Sequence, residues 1–227
     1  MRGNIQRVLQ QVKQELKGGA KPSEETFFNA SRGSYEPTAP LNNNGFELIY
    51  DGRTMDAYID KETKTIIIGV RGTWDIKDVK TDAFVLQNRL KGTSRYKENV
   101  QDMNNIISAF PPEEYEYWIS GHSLGGAISY QMLRDYPFIQ GSVDYSSAFQ
   151  SWDITHQNPN SKKVYTNEDF LYRLGGFMFK NKQVVPVKKP QGLAKRLFGF
   201  TPIGLIKRGV DGHSLANFEN LYSYSEK

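Results

Sequence analysis

The spacing of hydrophobic residues along the chain predicts strands and helices that follow one another. Two segments, 46–51 and 55–60, flank the tripeptide GRT and predict a β-hairpin. The segment 65–70 reads TIIIGV, which is continuously apolar and β-branched and is typical of a strand buried on both faces. A buried strand of this kind favours a sheet that is covered by helices on both sides.

Further along the chain, segments with helical spacing of apolar residues alternate with short apolar runs. Helical spacing predicts helices over 99–110 and 125–135, and short apolar runs predict strands over 115–120, 142–147 and 163–166. Strands that alternate with helices indicate an α/β fold. We therefore expect a mostly parallel central sheet flanked by helices.

The first part of the chain has a different pattern. Apolar residues recur at helical spacing between Ile5 and Leu16, and a Gly-Gly pair ends the pattern. This predicts an amphipathic helix over 1–19, followed by a single domain over 20–227. The segment 20–45 is rich in Pro, Gly, Ser and Asn, so an irregular structure is expected there.

The segment GHSLGG, 121–126, lies between a predicted strand and a predicted helix. It contains the pattern G-x-S-x-G, in which a tight strand-to-helix turn lifts a serine hydroxyl above the sheet. Glycines are needed where strand and helix approach too closely for side chains. The helix N-terminus directs free N–H groups at developing negative charge, and the N–H of Leu124 is a candidate oxyanion donor. Ser123 is therefore a candidate nucleophile.

A serine nucleophile requires a base, and the chain has 3 histidines. His122 is expected to point away across the turn and is interpreted as a packing residue. His156 lies in a predicted surface loop. In folds with this turn the order along the chain is Ser, then Asp or Glu, then His. His213 is therefore the candidate base.

The acid that orients the base must lie between Ser123 and His213 in this order. Asp169 follows the predicted strand 163–166, which places its carboxylate at the carboxyl edge of the sheet, where ligands bind in open α/β folds. Asp144 is an alternative because 142–147 is also a predicted strand. Glu168 is a further alternative.

Together these motifs resemble a known family. An RGT tripeptide at 71–73 follows the buried strand, GHSLGG follows at 121–126, and Asn-Glu-Asp at 167–169 follows a short strand. In this order they resemble the class 3 (fungal-type) lipases of the α/β-hydrolase superfamily. The resemblance spans roughly residues 27–218.

The resemblance implies a serine carboxylic-ester hydrolase that acts on lipid esters through an acyl-enzyme. It assigns the nucleophile to Ser123, the acid to Asp169 and the base to His213. Thr73 and the N–H of Leu124 would stabilise the oxyanion. No cofactor and no metal are expected. A phospholipase A1-like enzyme, an acyltransferase, and a catalytically inactive membrane-binding or scaffold protein with the same fold remain alternatives.

The segment after the RGT tripeptide departs from the family. Trp74 stands where a small residue is common, and we expect it to reshape the oxyanion hole or narrow the acyl pocket. The segment 74–95 also contains the apolar run AFVL. One interpretation is a mobile lid over the site. The alternative is a helix and loop of the core.

The charge of the chain is unevenly distributed. The formal net charge is +4, yet 170–210 contains nine Lys or Arg and no Asp or Glu, so the rest of the chain is slightly acidic. Large apolar side chains alternate with these cations. We expect the segment 173–208 to dock on an anionic membrane surface. A solvated surface excursion is the alternative, and specific nucleic-acid binding is not expected.

The absence of cysteine bounds the chemistry. With no Cys, the chain has no disulfide, no thiol nucleophile and no cysteine-ligated metal. No apolar run approaches the roughly 20 residues of a membrane span. The first 19 residues lack the continuous apolar stretch of a secretory signal. The sequence thus predicts an intracellular or virus-associated protein without a signal peptide, peripheral to membranes.

Overall fold

A seven-stranded sheet forms the centre of the protein, whose computed structural model describes residues 20–35, 45–72, 89–187 and 213–222. The strands lie in the sheet in the same order as in the chain. They are β1 (Glu47–Asp51), β2 (Met55–Asp60), β3 (Thr65–Val70), β4 (Glu116–His122), β5 (Ile139–Tyr145), β6 (Ser161–Thr166) and β7 (Lys182–Val185). β1, β2 and β3 pair antiparallel, and β3 to β7 pair parallel.

Helices and short 3₁₀ turns connect these strands. The helices are α1 (Glu24–Gly33), α2 (Ser94–Ala109), α3 (Leu124–Asp135), α4 (Ser151–Thr155), α5 (Phe170–Leu174) and α6 (Glu219–Tyr222). The 3₁₀ turns are Leu90–Gly92, Gly176–Met178 and Leu215–Phe218. None of the helices within the described residues is long and apolar enough to cross a membrane.

The sheet is covered on both faces, as the apolar strand 65–70 predicts. Ile66 and Ile68 of β3 pack in one core with α2 and α3. Ile67, which points to the opposite face, packs in a second core with α1 and with Phe218. The predicted fold class, α/β with a mostly parallel central sheet flanked by helices, is confirmed.

The predicted elements from the hairpin to β6 are present, with ends shifted by a few residues. α2 begins five residues earlier than predicted, because the Thr93 side chain accepts a hydrogen bond from the N–H of Tyr96 and caps the helix there. β7, α4, α5 and α6 have no counterpart in the sequence analysis. The predicted helix over 1–19 lies outside the described residues, and the domain boundary at residue 20 stays a prediction.

The prediction of irregular structure over 20–45 is wrong for 24–33, where α1 lies. Its N-terminus is capped by Ser23, whose Oγ accepts a hydrogen bond from the N–H of Thr26 at 3.1 Å. Phe27 and Phe28 become buried against the sheet. Burial of two phenylalanines favours a helix that local composition does not indicate.

α1 crosses the sheet at Gly69 of β3. A Cβ atom at this position would lie 1.9 Å from the carbonyl oxygen of Ala30. Real Cβ atoms do not approach an oxygen so closely, so the missing side chain of Gly69 allows the helix to rest directly on the strand.

We expect Gly69→Ala to lower the free energy of unfolding by about 1–3 kcal/mol, since the added methyl group forces α1 away from β3. Urea denaturation measures this change. Gly92→Ala is the matched control, because a Cβ atom at Gly92 meets no atom within 4 Å. Equal unfolding free energies for the two variants would contradict the close approach.

Candidate active site

Ser123 lies at the turn between β4 and α3 in a strained conformation. Its φ of 57° and ψ of −124° fall in the positive-φ region that non-glycine residues rarely adopt. Such strain costs on the order of 1–3 kcal/mol and is found preferentially at functional sites. The Ser123 side chain is buried, and its Oγ has no hydrogen-bond partner among the described residues.

Two glycines allow this turn to form. A Cβ atom at Gly121 would lie 2.3 Å from the carbonyl oxygen of Gly125, and a Cβ atom at Gly125 would lie 2.2 Å from the carbonyl oxygen of Val70. The backbone of α3 therefore touches the backbones of β3 and β4 directly. This is the close approach for which the sequence requires glycine in G-x-S-x-G.

One of the expected oxyanion donors, the N–H of Leu124, lies next to Ser123 in the chain. α3 begins at Leu124, so the N–H of Leu124 is one of the first N–H groups of the helix, which have no intrahelical acceptor. Thr73 lies outside the described residues. Its neighbour Gly72 lies against the turn, because a Cβ atom at Gly72 would stand 3.4 Å from Cβ of Ser123.

Asp169 and His213 form a buried pair. Nδ1 of His213 lies 3.2 Å from Oδ1 of Asp169, and both side chains are fully buried. Asp169 is also the N-cap of α5, because the same oxygen accepts the N–H of Leu171 at 2.8 Å. The cap fixes the orientation of the carboxylate. The ring of Phe170 packs against the imidazole of His213 at a centroid distance of 5.0 Å.

The pair fixes the tautomer of His213. A carboxylate only accepts hydrogen bonds, so Nδ1 of His213 carries the proton in the neutral ring. Nε2 then holds a lone pair. This atom is buried and has no hydrogen-bond partner among the described residues. The structure thus places an unpartnered imidazole nitrogen and an unpartnered serine hydroxyl in the described core.

The alternative acids have other partners or positions. Asp144 accepts hydrogen bonds from Nζ of Lys163 at 2.9 Å and from Oγ of Ser142 at 3.0 Å, in a fully buried ion pair. Glu168 precedes Asp169 in the loop before α5. Of the three candidate acids, Asp169 contacts the ring of His213 directly.

His156 and His122 have different surroundings. His156 is exposed and stacks on Trp152, as expected for a surface loop. His122 is buried, and its Nε2 lies 2.8 Å from the carbonyl oxygen of His213. Its Nδ1 lies 3.2 Å from the hydroxyl of Tyr35. The burial of His122 is what a packing residue requires, and the hydrogen-bond contacts of both ring nitrogens are additional to that interpretation.

Sequence reasoning did not identify Tyr35. Its hydroxyl accepts the N–H of Gly72 at 2.9 Å and also contacts His122. Tyr35 is 87 residues from His122 along the chain, so no local pattern connects the two. For His122 the available signal was its position next to the serine of the turn.

Burial and the nearby His213 lower the pKa of His122 from 6.5 to about 3. The folded protein therefore keeps His122 neutral over the physiological range. Between pH 6.5 and pH 3 the unfolded chain binds a proton at this position and the folded chain does not. Stability from this group is complete above pH 6.5 and falls by about 1.4 kcal/mol per pH unit as the pH decreases towards 3.

We expect the unfolding free energy of the wild type to fall by about 2 kcal/mol more than that of His122→Gln between pH 7 and pH 5. Glutamine does not titrate, so the comparison isolates the histidine. Urea denaturation of both proteins at the two pH values measures the difference. Identical pH dependences would show that His122 is not buried as a neutral ring.

The described half of the basic segment does not stay at the carboxyl edge of the sheet. Arg173 lies in α5, the helix that begins directly after Asp169. The chain returns to this edge at Val187, whose N–H donates to Oδ1 of Asn167. Between them, the N–H of Lys180 donates to Gln157, near the amino end of β6. In the described part of the segment, Arg173 and Val187 therefore lie near this edge and Lys180 lies away from it. Residues 188–212 lie outside the described residues.

The predicted lid over 74–95 also lies largely outside the described residues, since 73–88 is not described and 89–95 is. The described part of the predicted lid is the 3₁₀ turn Leu90–Gly92 and the start of α2.

Among the described residues, no group of three or more His, Cys, Asp or Glu side chains has the arrangement of a metal site.

Comparison with known proteins finds relatives of limited overlap. An uncharacterized protein, RP165 of Rickettsia prowazekii, is 28% identical over 138 residues, which are 59% of this chain and 34% of that protein. The putative lipase ATG15 of Lodderomyces elongisporus is 38% identical over 52 residues, 22% of this chain and 9% of that protein. The putative lipase ATG15 of Meyerozyma guilliermondii is 25% identical over 146 residues, 44% of this chain and 26% of that protein.

Two of these three relatives are named as putative lipases. The chain spans 34% or less of the length of these curated relatives. No protein-family model matches the chain.

Two solved structures of fungal lipases also match. Lip2 lipase from Yarrowia lipolytica has a TM-score of 0.46 at 15% identity, over 73% of this chain and 78% of that one. The Rhizomucor miehei lipase, solved as a propeptide complex, has a TM-score of 0.47 at 15% identity, over 70% of this chain and 66% of that one.

Proposed function

We propose that this protein is a serine carboxylic-ester hydrolase that acts on lipid esters. The observation that carries the proposal is the combination of an unpartnered Ser123 hydroxyl on a strained turn with His213, whose Nδ1 is held by Asp169 and whose Nε2 is unpartnered. The similarity to putative lipases supports lipid esters as the substrate class.

In this proposal Nε2 of His213 accepts the proton of Ser123 as Oγ attacks the ester carbonyl. Asp169 stabilises the imidazolium that forms. The N–H of Leu124 and the donor at Thr73 stabilise the tetrahedral oxyanion. His213 then protonates the leaving alcohol, and an acyl-enzyme remains. Water attacks the acyl-enzyme with His213 as base, which releases the acid and restores Ser123.

The site is closed in this structure. Ser123 is 1% exposed, and Asp169 and His213 are 0% exposed. An ester carbonyl must contact Oγ of Ser123 for the reaction, so the groups that cover the serine must move before substrate binds. We propose the segment 74–95 as the moving cover, consistent with its apolar run and its position directly after the RGT tripeptide.

We expect a fluorophosphonate probe to label the wild type and not Ser123→Ala. Ester hydrolysis should fall about 10⁴-fold or more in Ser123→Ala and His213→Gln, and by a similar factor in Asp169→Asn, which loses the correct tautomer. His156→Gln is the matched control, because this histidine is exposed and should leave the rate unchanged. The substrate class is determined from the rates of hydrolysis of esters of increasing chain length and of phospholipids, and from the rate of acyl transfer to an added acceptor.

Labelling of Ser123→Ala at the wild-type level would contradict the assignment of the nucleophile. A wild type that neither reacts with the probe nor hydrolyses any ester would favour the alternative of a non-catalytic protein with this fold. Release of fatty acid from phospholipids but not glycerides would instead favour the phospholipase A1-like alternative.

We further propose that anionic lipid is a partner of the segment 173–208. Its described part includes three apolar side chains that are more than half exposed, Leu174 (56%), Phe177 (52%) and Met178 (52%). The exposed cations Arg173 and Lys180 lie beside them in sequence. Apolar side chains next to cations are the chemistry of an interfacial membrane contact.

We expect Phe177→Ser/Met178→Ser to weaken binding to vesicles with anionic lipid by about tenfold or more, because less apolar surface enters the interface. Vesicle flotation at low and high salt measures the binding. Leu48→Ser, on the opposite edge strand β1 and 40% exposed, is the control. Equal, salt-insensitive binding to neutral vesicles would overturn the proposal.

A further inference from the structure

Three hydrogen bonds connect the segment before Thr73 with the segment that carries His213. The N–H of Gly72 donates to the hydroxyl of Tyr35, this hydroxyl contacts Nδ1 of His122, and Nε2 of His122 contacts the carbonyl of His213. We propose that Tyr35 and His122 are positioning residues, which fix the candidate base relative to the expected oxyanion segment. This inference rests on the proposed function.

The direction of each hydrogen bond follows from the chemistry of the groups. The carbonyl of His213 only accepts, so Nε2 of His122 carries the ring proton. Nδ1 of the neutral ring is then an acceptor, and the hydroxyl of Tyr35 donates to it. Burial raises the pKa of Tyr35 above its usual value, so this hydroxyl stays protonated. The hydroxyl of Tyr35 is thus donor to His122 and acceptor from Gly72.

The network restrains both sides of the site. Gly72 lies against Ser123 and is bonded to Thr73, so the contact with Tyr35 restrains the backbone that leads to the expected oxyanion donor. On the other side, His213 is held at its ring by Asp169 and at its backbone by His122. A displacement of about 1 Å in such a site can cost on the order of 100-fold in rate.

The charge of His122 supports this assignment. The rings of His122 and His213 lie 5.0 Å apart. In the proposed reaction His213 becomes a cation, and a second cation at this distance would oppose its protonation. His122 stays neutral because burial and His213 lower its pKa to about 3. It therefore holds the backbone of His213 without opposing the charge that forms on the ring.

The experiment compares Tyr35→Phe, His122→Phe, His122→Gln and the double variant Tyr35→Phe/His122→Phe with the wild type. Tyr35→Phe removes one hydroxyl, and His122→Phe removes both ring nitrogens while a ring is retained. His122→Gln restores a donor for the carbonyl of His213. Rates are expressed per serine titrated with the fluorophosphonate probe, which corrects for unfolded protein.

We expect kcat to fall about 10–100-fold in Tyr35→Phe and His122→Phe, with KM changed less than about twofold. His122→Gln should recover part of this loss. The double variant should be no slower than His122→Phe, because both changes break one network. Unchanged kcat in both Phe variants, even with a lower melting temperature, would overturn the proposal.

A second measurement does not depend on turnover. In ¹⁵N-labelled protein, the proton on Nδ1 of His213 should give a slowly exchanging low-field resonance that is lost in His213→Gln. We expect His122→Phe to accelerate its exchange at least about tenfold and His122→Gln to do so less. Equal exchange rates of this proton in the wild type, His122→Phe and His122→Gln would overturn the positioning role. An inactive wild type would contradict the proposed function alone, and the resonance would still decide the role of His122.

Discussion

The direct contact between the backbone of α3 and the backbones of β3 and β4 is the constraint on which the candidate site depends. Gly121 and Gly125 have no side chains, so α3 can begin after a turn of a single residue, Ser123, that follows β4. This geometry holds Ser123 at a φ of 57° and places it beside the first N–H groups of α3, which have no intrahelical acceptors, as in any helix. The same contact thus brings the strained serine and the polar helix end together. The two cores that hold the sheet on both faces keep this contact in place.

The parts of the molecule that local patterns encode could be predicted. The segment TIIIGV specifies a buried strand because its side chains after Thr65 are apolar, and the glycine spacing around Ser123 specifies the turn. Chain order favours His213, and the position after a predicted strand favours Asp169 over Asp144 and Glu168. The structure gives the contact between Asp169 and His213, whereas their catalytic roles remain predictions. α1 was missed because its composition favours loops, and burial of Phe27 and Phe28 outweighs that preference. Tyr35 was missed because its contacts join residues far apart in the chain, which no spacing rule encodes.

Buried polar groups in this protein are distinguished by what surrounds them. Asp144 and Asp169 are both carboxylates near the carboxyl edge of the sheet. The charge of Asp144 is neutralised within the core by an ion pair with Lys163. Asp169 instead faces the imidazole of His213, with both side chains fully buried. His122 and His213 differ in the same way. One ring is kept neutral by burial, and the other has a carboxylate partner that would stabilise its cation.

The segment 213–222 attaches His213 to the body largely through aromatic side chains. Tyr222 stacks on Phe28 of α1 at 5.2 Å, and Phe218 packs on Tyr145 of β5 at 5.3 Å. A hydrogen bond between the hydroxyls of Tyr145 and Tyr222 and an ion pair from Arg32 to Glu219 add to this attachment. These contacts lie outside the strand pairing of the sheet, and a segment of this kind can open while the remainder stays folded. Release of this short segment would separate the imidazole from Asp169 with the seven strands intact. A local opening of this kind would inactivate the proposed site while the domain as a whole remains folded.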